Sequence, residues 1–248
     1  MASGEPCRYL EWDTEFFGAR IARFEAAPLT PAAVAAGVAW CKAQAIECVY
    51  LEVDAADREA VRVAERHGFS LVDVRVVLER EVASVPAPDK RIRESREEDV
   101  PALRAIAKVS HQDSRYYHDE HFVRERCDAL YETWIEKSCR GYADRVLVTD
   151  SETGPKGYLT LHLEPPAGAR IGLVGIARAS QGQGLGGALM AEALRWLAER
   201  GVERLRVVTQ GRNAKAQRFY QDWGFRTISV GLFYHGWFSD APRASSRP

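Results

Sequence analysis

Apolar positions alternate with polar ones, or run together briefly, in "ARIARFE", "CVYLEV" and "LVDVRVVLE", and these segments of the first third read as strands. Between them, "PAAVAAGVAWCKAQA" and "REAVRVAERH" space their apolar residues like helices with one buried face. The pattern breaks at "ASVPAPDK", residues 83–90, where prolines stand among small and charged residues, so a linker is expected there.

Beyond it, "RIRESREEDVPALRAIAKV" predicts a short strand and then a helix started by Ser95 or Asp99. A long helix is expected over 121–137, with Val123, Cys127, Leu130 and Trp134 along one face. Three strand-like runs follow ("RVLVTD", "KGYLTLHLE", "ARIGLVGIA"), then a glycine-rich segment and a helix opening at Leu185. The strand "RLRVVTQ", the helix "NAKAQRFYQDW" and the strand "GFRTISVGLFY" complete the pattern. A meander passing into alternating strands and helices implies an α/β fold built on a mixed sheet. The expected units are 1–85, 91–238 and a disordered tail, 239–248.

The chain also echoes itself. Shifted by 156 positions, "REAVRVAERHGFSLVDV" falls on "NAKAQRFYQDWGFRTISV" from its second position on, bringing His67-Gly68-Phe69 onto Trp223-Gly224-Phe225. Glycine closing a helix is by itself an ordinary cap. The informative part is what the first copy lacks: it has no glycine-rich loop, and Ala64 stands where the second copy has Tyr220.

Composition narrows the possibilities. The 248 residues are 46% hydrophobic and 28% charged with a formal net charge of -1, which suits a chain able to build its own core and leaves no basic footprint for nucleic acid or anionic membrane. Five cysteines without a C-x-x-C pair argue against a disulfide framework or zinc ribbon and for a reducing cytoplasm. Neither a signal peptide nor an apolar span of membrane length is visible.

The segment "SQGQGLGG" at 180–187 lies between a strand and a helix. Each glycine there costs about 0.5–1 kcal/mol relative to alanine in ordered structure. Glycines at a helix N-terminus leave backbone N–H groups and the positive end of the helix dipole available to an anion, so the segment suits a pyrophosphate without net positive charge. Its spacing matches neither a Walker loop nor a dinucleotide fingerprint; a flexible turn without a ligand is the plainer alternative.

Gln181-x-x-Gly184-x-Gly186 resembles the Q/R-x-x-G-x-G/A loop of the GNAT acetyltransferases, and "NAKAQRFYQDWGF" resembles their N-x-x-A-x-x-F-Y-x-x-x-G-F segment. The resemblance implies a GNAT acyl-CoA N-acyltransferase fold with acetyl-CoA as co-substrate. Its pyrophosphate would lie on Gln181, Gly182, Gln183, Gly184, Leu185, Gly186 and Gly187, and its pantetheine along Val174, Gly175 and Ile176. Arg178 stands where many relatives have proline. "LEWDTEFFGARIARFE" and "SRYYHDEHFVRERCDALYETWIEKS" resemble the TDP-fucosamine acetyltransferases, which acetylate a nucleotide-linked 4-amino-4,6-dideoxy sugar. That family joins a truncated, cofactor-free GNAT-like half to a complete one, which would explain the echo.

Acetyl transfer to an amine needs a neutral amine, oxyanion stabilisation and a proton for the departing thiolate. Asn213 and Tyr220 stand seven residues apart on one helix, about 10 Å along its axis, on the same side. A tyrosine with an ordinary pKa near ~10 is protonated at neutral pH, and the resemblance makes Tyr220 the general acid. For the base, His162 and Glu164 share one strand face, and an ordered water chain is an equal alternative. His111, Asp113, His118, Asp119 and His121 invite a metal, but their spacing lacks a helical zinc pairing and no metal is expected. Arg115, Tyr116 and Tyr117 offer a guanidinium for phosphate and aromatic faces for a sugar or base. The partner expected is a small molecule, with a second copy of the chain as an open option. Other small amines, a protein amine, and an acyl-CoA-binding regulator without turnover remain as alternatives.

Overall fold

A computed structural model describes residues 4–82, 87 and 89–238. The expected tail and much of the expected linker lie outside the described residues. The first half runs β1 (Cys7–Tyr9), α1 (Glu11–Phe17), β2 (Ile21–Phe24), α2 (Pro31–Ala43), β3 (Cys48–Asp54), α3 (Arg58–Arg66) and β4 (Ser70–Glu81). The second runs β5 (Ile92–Glu94), α4 (Val100–Ser110), α5 (Arg124–Lys137), β6 (Arg145–Thr149), β7 (Gly157–Glu164), β8 (Gly168–Ile176), α6 (Leu185–Ala198), β9 (Arg204–Gln210), α7 (Ala214–Asp222) and β10 (Arg226–Trp237).

Local chemistry sets these bounds. α3 and α7 open alike: Asp57 accepts the Ala60 N–H at 3.0 Å and Asn213 the Ala216 N–H at 3.0 Å, each filling one orphan donor of a first turn. Both are followed by a glycine at positive φ, Gly68 (+79°) and Gly224 (+82°), which turns the chain into the next strand. Of the two start signals considered for α4, Asp99 holds the N-cap position but caps no first-turn N–H. Its carboxylate instead reaches back to the Arg96 N–H at 2.8 Å, closing the short 3-10 turn Glu97–Asp99 that leads into the helix. α5 begins at Arg124, later than expected, because the Asp119 carboxylate takes the His121 N–H and its carbonyl the Phe122 N–H, holding those residues in a turn. β1 and α1 were not expected; three and seven residues are too few for a period to declare itself.

All ten strands belong to one mixed sheet, in the order β1-β2-β3-β10-β4-β9-β8-β7-β6-β5. The echo extends well beyond Gly-Phe: β3, α3 and β4 recur as β9, α7 and β10, and each strand repeats its bounds 156 residues later. Outward from the central antiparallel β10–β4 pair the order is matched on both sides, β3-β2-β1 against β9-β8-β7. Each half has therefore passed its last strand into the other, and the sheet is continuous across the expected domain boundary.

One face carries α2 and α3 over Val49, Leu51 and Val53, and α6 and α7 over Leu78, Leu161, Leu205 and Val207. The opposite face carries α4, α5 and the aromatic end of α1 over Tyr50, Val146, Val148 and Tyr158. Fully burying one such leucine or valine is worth about 1.5–3 kcal/mol, so both layers hold the sheet rigid around the one place where it opens.

Candidate active site

β8 and β9 pair in parallel from Gly168–Arg204 to Ile171–Val207 and no further, although β8 continues to Ile176 and β9 to Gln210. Their outer edges remain paired with β7 and β4. The cause lies one strand away, where Gly172 and Leu173 of β8 face the single Thr160 of β7. Thr160 Oγ1 takes the Leu173 N–H at 2.8 Å, a bulge that bends β8 away from β9. Leu173 and Ala177 both donate towards β7, so by alternation the Val174 and Ile176 N–H groups point into the opening. Gly175 is needed as glycine, because a Cβ there would lie 2.9 Å from the Tyr158 hydroxyl oxygen and closer still to its ring.

The opening is a cleft of about 450 Å³. It gathers Val174, Gly175, Ile176, Gln181, Gly182, Gly184, Leu185, Gly186, Gly187, Asn213 and Tyr220. Gln183 is not among the lining residues; its side-chain amide donates to Ala179 O at 3.3 Å. Gly182 (φ +78°) and Gly184 (φ +74°) hold the left-handed backbone that turns the chain into α6. No side chain caps that helix. Among the described residues, none of the six backbone N–H groups at 182–187 has an acceptor. These orphan donors stand at the positive end of a fourteen-residue helix. Lys215, whose ammonium lies 2.7 Å from Gln181 Oε1, adds positive charge beside them. The arrangement fits a diphosphate.

Tyr220 faces the cleft from α7, its ring edge-on to Phe219 and Phe225. Burial pushes its phenol above the ordinary tyrosine range, so it stays protonated at neutral pH. Burial alone, with no hydrogen bond from a described residue, sets its ionisation, which leaves the proton available to whatever enters. Asn213 lines the cleft too, as the residue capping α7 rather than one within it, with Oδ1 committed to the Ala216 N–H.

The other expected residues lie around this centre. Arg115, Tyr116 and Tyr117 form a short turn just beyond Asp113, which lines the cleft. The Arg115 guanidinium is packed between the rings of Tyr50, Tyr116 and Phe233 at 4.4–5.1 Å and donates to the Tyr116 hydroxyl at 2.7 Å, leaving Nε buried and unpaired. Tyr117 donates to Asp128 at 2.8 Å. His162 is buried against Tyr142 beyond the bulge and is not among the lining residues. Burial lowers its pKa, with Arg170 adding to the effect. Within the histidine-rich segment, His111 contacts the Tyr158 hydroxyl at 2.8 Å and Asp119 holds His121, His235 and Trp237. Among the described residues no three His, Cys, Asp or Glu side chains are grouped to hold a metal. Sequence reasoning missed Val109, Ser110, Asp113, Ser180, Lys215, Ala216 and Phe219 of the lining. Four of these had a local signal: Ser180 opens the glycine-rich segment, and Lys215, Ala216 and Phe219 lie between Asn213 and Tyr220.

A splayed parallel strand pair, an uncapped glycine-rich helix start and a free phenol define an acyl-CoA-dependent transferase site in form. Residues 102–225 match the model of the acetyltransferase (GNAT) family, and the chain belongs to that family. It is 34% identical over 240 residues to the dTDP-fucosamine acetyltransferase of Escherichia coli O6:H1, covering 94% of this chain and 98% of that one. Its fold is similar to that of a GCN5-related N-acetyltransferase from Sphaerobacter thermophilus, at TM-score 0.66 and 17% identity over 93% of this chain and 76% of that one. It is also similar to a tandem GNAT protein from the clavulanic acid biosynthesis pathway, at TM-score 0.61 and 15% identity over 90% and 77%. The chain is a GNAT acetyltransferase. No helix among the described residues is long and apolar enough to cross a membrane.

Proposed function

We propose that the chain moves an acetyl group from acetyl-CoA directly to the amine of a nucleotide-linked 4-amino-4,6-dideoxy sugar. The observation that carries the cofactor half of this reading is the row of unpaired N–H groups at 182–187, ending within the same cleft as Tyr220. Support for the acceptor is the near full-length likeness to a dTDP-fucosamine acetyltransferase.

Residues 182–187 would hold the diphosphate, with Gln181 and Asn213 at either side of the cleft and Val174, Gly175 and Ile176 along the pantetheine. Bound there, acetyl-CoA supplies an acetyl group activated as a thioester. The inward N–H groups of Val174 and Ile176 are placed to meet negative charge developing on the carbonyl oxygen. Tyr220 holds a proton for the departing sulfur, and the burial that keeps it protonated also disfavours a bare thiolate beside it. Arg115, with Tyr116 and Tyr117, would meet the nucleotide's phosphate and rings on the opposite face of the sheet. We assign 91–238 as the catalytic unit and 1–85 as a truncated copy of it. All five cysteines are free thiols, which suits a cytoplasmic enzyme.

The test is thiol release from acetyl-CoA against dTDP-4-amino-4,6-dideoxygalactose, aminoglycosides, polyamines and peptides. Release with the sugar nucleotide at a kcat/KM well above the others is expected. Equal or greater release with another class reassigns the acceptor, and coenzyme A binding without any release makes the chain a sensor.

A further inference from the structure

Four carboxylates are buried among the described residues: Asp73, Asp99, Asp119 and Glu192. Three are saturated. Asp99 takes two hydrogen bonds from Arg93 and one from the Arg96 N–H, Asp119 is bonded by His121, His235 and Trp237, and Glu192 is gripped by Arg195. Asp73 is different. Its Oδ1 accepts only the N–H of its own neighbour Val74, at 2.9 Å, and its Oδ2, with no partner among the described residues, keeps contact with solvent. The nearest cation, Arg212, stays 3.8 Å away because its guanidinium is spent on Val72 O (2.7 Å) and Asp113 O (3.3 Å). A largely buried carboxylate with one neutral donor and a loose ion pair is costlier to hold than the three that are fully paired.

Its location suggests a purpose. Val74, Val76 and Leu78 point to the helix face that carries α6 and α7, so Asp73, by the two-residue period of β4, faces the other side. That is the side of Arg115 and Tyr50. Asp73 is not itself among the lining residues, but its strand approaches the cleft: Gly211 donates to Val74 O across the end of β9, and Asn213, two residues later, lines the cleft. Through Arg212, Asp73 is also tied to Asp113 on the cleft's opposite wall.

We propose that Asp73, supplied by the first half of the chain, receives the acceptor's ammonium group and takes its proton. This rests on the reading of the chain as an amine acetyltransferase. One proton passes from the ammonium nitrogen to the Asp73 carboxylate and on to solvent. The freed lone pair forms the C–N bond as the C–S bond breaks; Tyr220 protonates the sulfur and recovers a proton from the second N–H lost at nitrogen. One proton is released per acetyl moved. Burial raises the Asp73 carboxyl to about 6, against the opposing pull of Arg212 and Arg115, with Asp113 adding slightly to the rise. His118 shares the Arg212 and Asp113 neighbourhood, and burial and Arg212 lower its pKa.

The experiment is the pH profile of kcat/KM for dTDP-4-amino-4,6-dideoxygalactose in wild type, Asp73→Asn, Asp73→Glu and Arg212→Gln, with acetyl-CoA affinity measured by calorimetry in each. Wild type should fall below pH about 6. Asp73→Asn should lose about 10²-fold near neutrality and move its limb up to the amine's own ionisation, so that the deficit shrinks as pH rises, while acetyl-CoA affinity stays unchanged. Asp73→Glu should keep a carboxylate limb, and Arg212→Gln should shift the limb upward, since it removes a charge that favours the carboxylate. An Asp73→Asn profile parallel to wild type, or a loss under threefold, overturns the proposal by itself. If wild type releases thiol with no amine, the proposal falls together with the functional reading beneath it.

Discussion

In the first half, β2 runs beside β3 for as long as it exists, pairing Ile21, Ala22 and Arg23 and ending at Phe24. In the second half the equivalent β8 pairs with β9 over Gly168–Arg204 to Ile171–Val207 and then continues for five more residues with only β7 beside it. That extension makes the cleft. Where the second half continues into a loop of unpaired amides, the first reaches α2 with Thr30 accepting the Ala33 N–H and Pro31 at the first turn, so its helix start is already satisfied. Where α7 presents Tyr220, α3 presents Ala64 packed in the core. One supersecondary unit thus appears twice, once sealed and once open, and backbone extension, an uncapped helix and one phenol mark the open copy.

The largest effect expected from attacking this difference is at Tyr220. Tyr220→Phe removes the proton but keeps the ring against Phe219 and Phe225. A general acid contributes about 10²–10⁴-fold, so kcat should drop by at least about 10²-fold with acetyl-CoA affinity nearly unchanged by calorimetry. Intact turnover would remove Tyr220 from its role. The reciprocal change, Ala64→Tyr, should give no new activity and should only destabilise, because Ala64 is fully buried with no cleft beside it.

A smaller effect separates glycines by location. Gly184 and Gly68 both hold left-handed backbone, at φ +74° and +79°. Alanine there costs about 1–2 kcal/mol. At Gly184 the loop relaxes freely in the absence of ligand and must be forced back on binding, so Gly184→Ala should raise the acetyl-CoA Kd about 5–30-fold, the factor that energy corresponds to. At Gly68 the same energy falls on folding: Gly68→Ala should lower the melting temperature and leave Kd alone. Equal shifts of Kd in both variants would mean that the loop at 182–187 is not the anion site.

How much of this was legible follows from how local each signal is. The 156-residue echo and the glycines of the loop are written in adjacent residues, and the strands other than β1 declared themselves by alternation or by short apolar runs, whereas Asn213, expected within α7, proved to be its cap. Val174 and Ile176 contribute amides, which leave no mark on side-chain identity; their direction depends on a bulge opposite Thr160 that no period announces. Asp113 and Asp73 reach the site region through tertiary structure, the latter on a strand that crosses between halves. His162 shows the reverse: alternation assigns it a strand face, but where that face leads depends on the bulge and on Tyr142 packed against it.

The smallest expected effect sharpens the comparison most, because it acts on groups that do the same structural work in both halves. Asp57→Ala and Asn213→Ala each delete a side-chain acceptor from a first-turn N–H. Each should cost about 1 kcal/mol of stability by denaturant unfolding. Asp57 stands at an exposed helix start in the sealed half, and its loss should stop there. Asn213 lines the cleft with its amide nitrogen uncommitted among the described residues, so Asn213→Ala should additionally raise the acetyl-CoA Kd by about threefold, the equivalent of one modest neutral hydrogen bond. Asn213→Asp keeps the acceptor for the Ala216 N–H but replaces that nitrogen with an anionic oxygen near the diphosphate. It should preserve stability and weaken binding more than alanine does, whereas the parallel change Asp57→Asn should move neither quantity measurably. If Asn213→Asp binds as tightly as wild type, Asn213 is a cap alone, as Asp57 is.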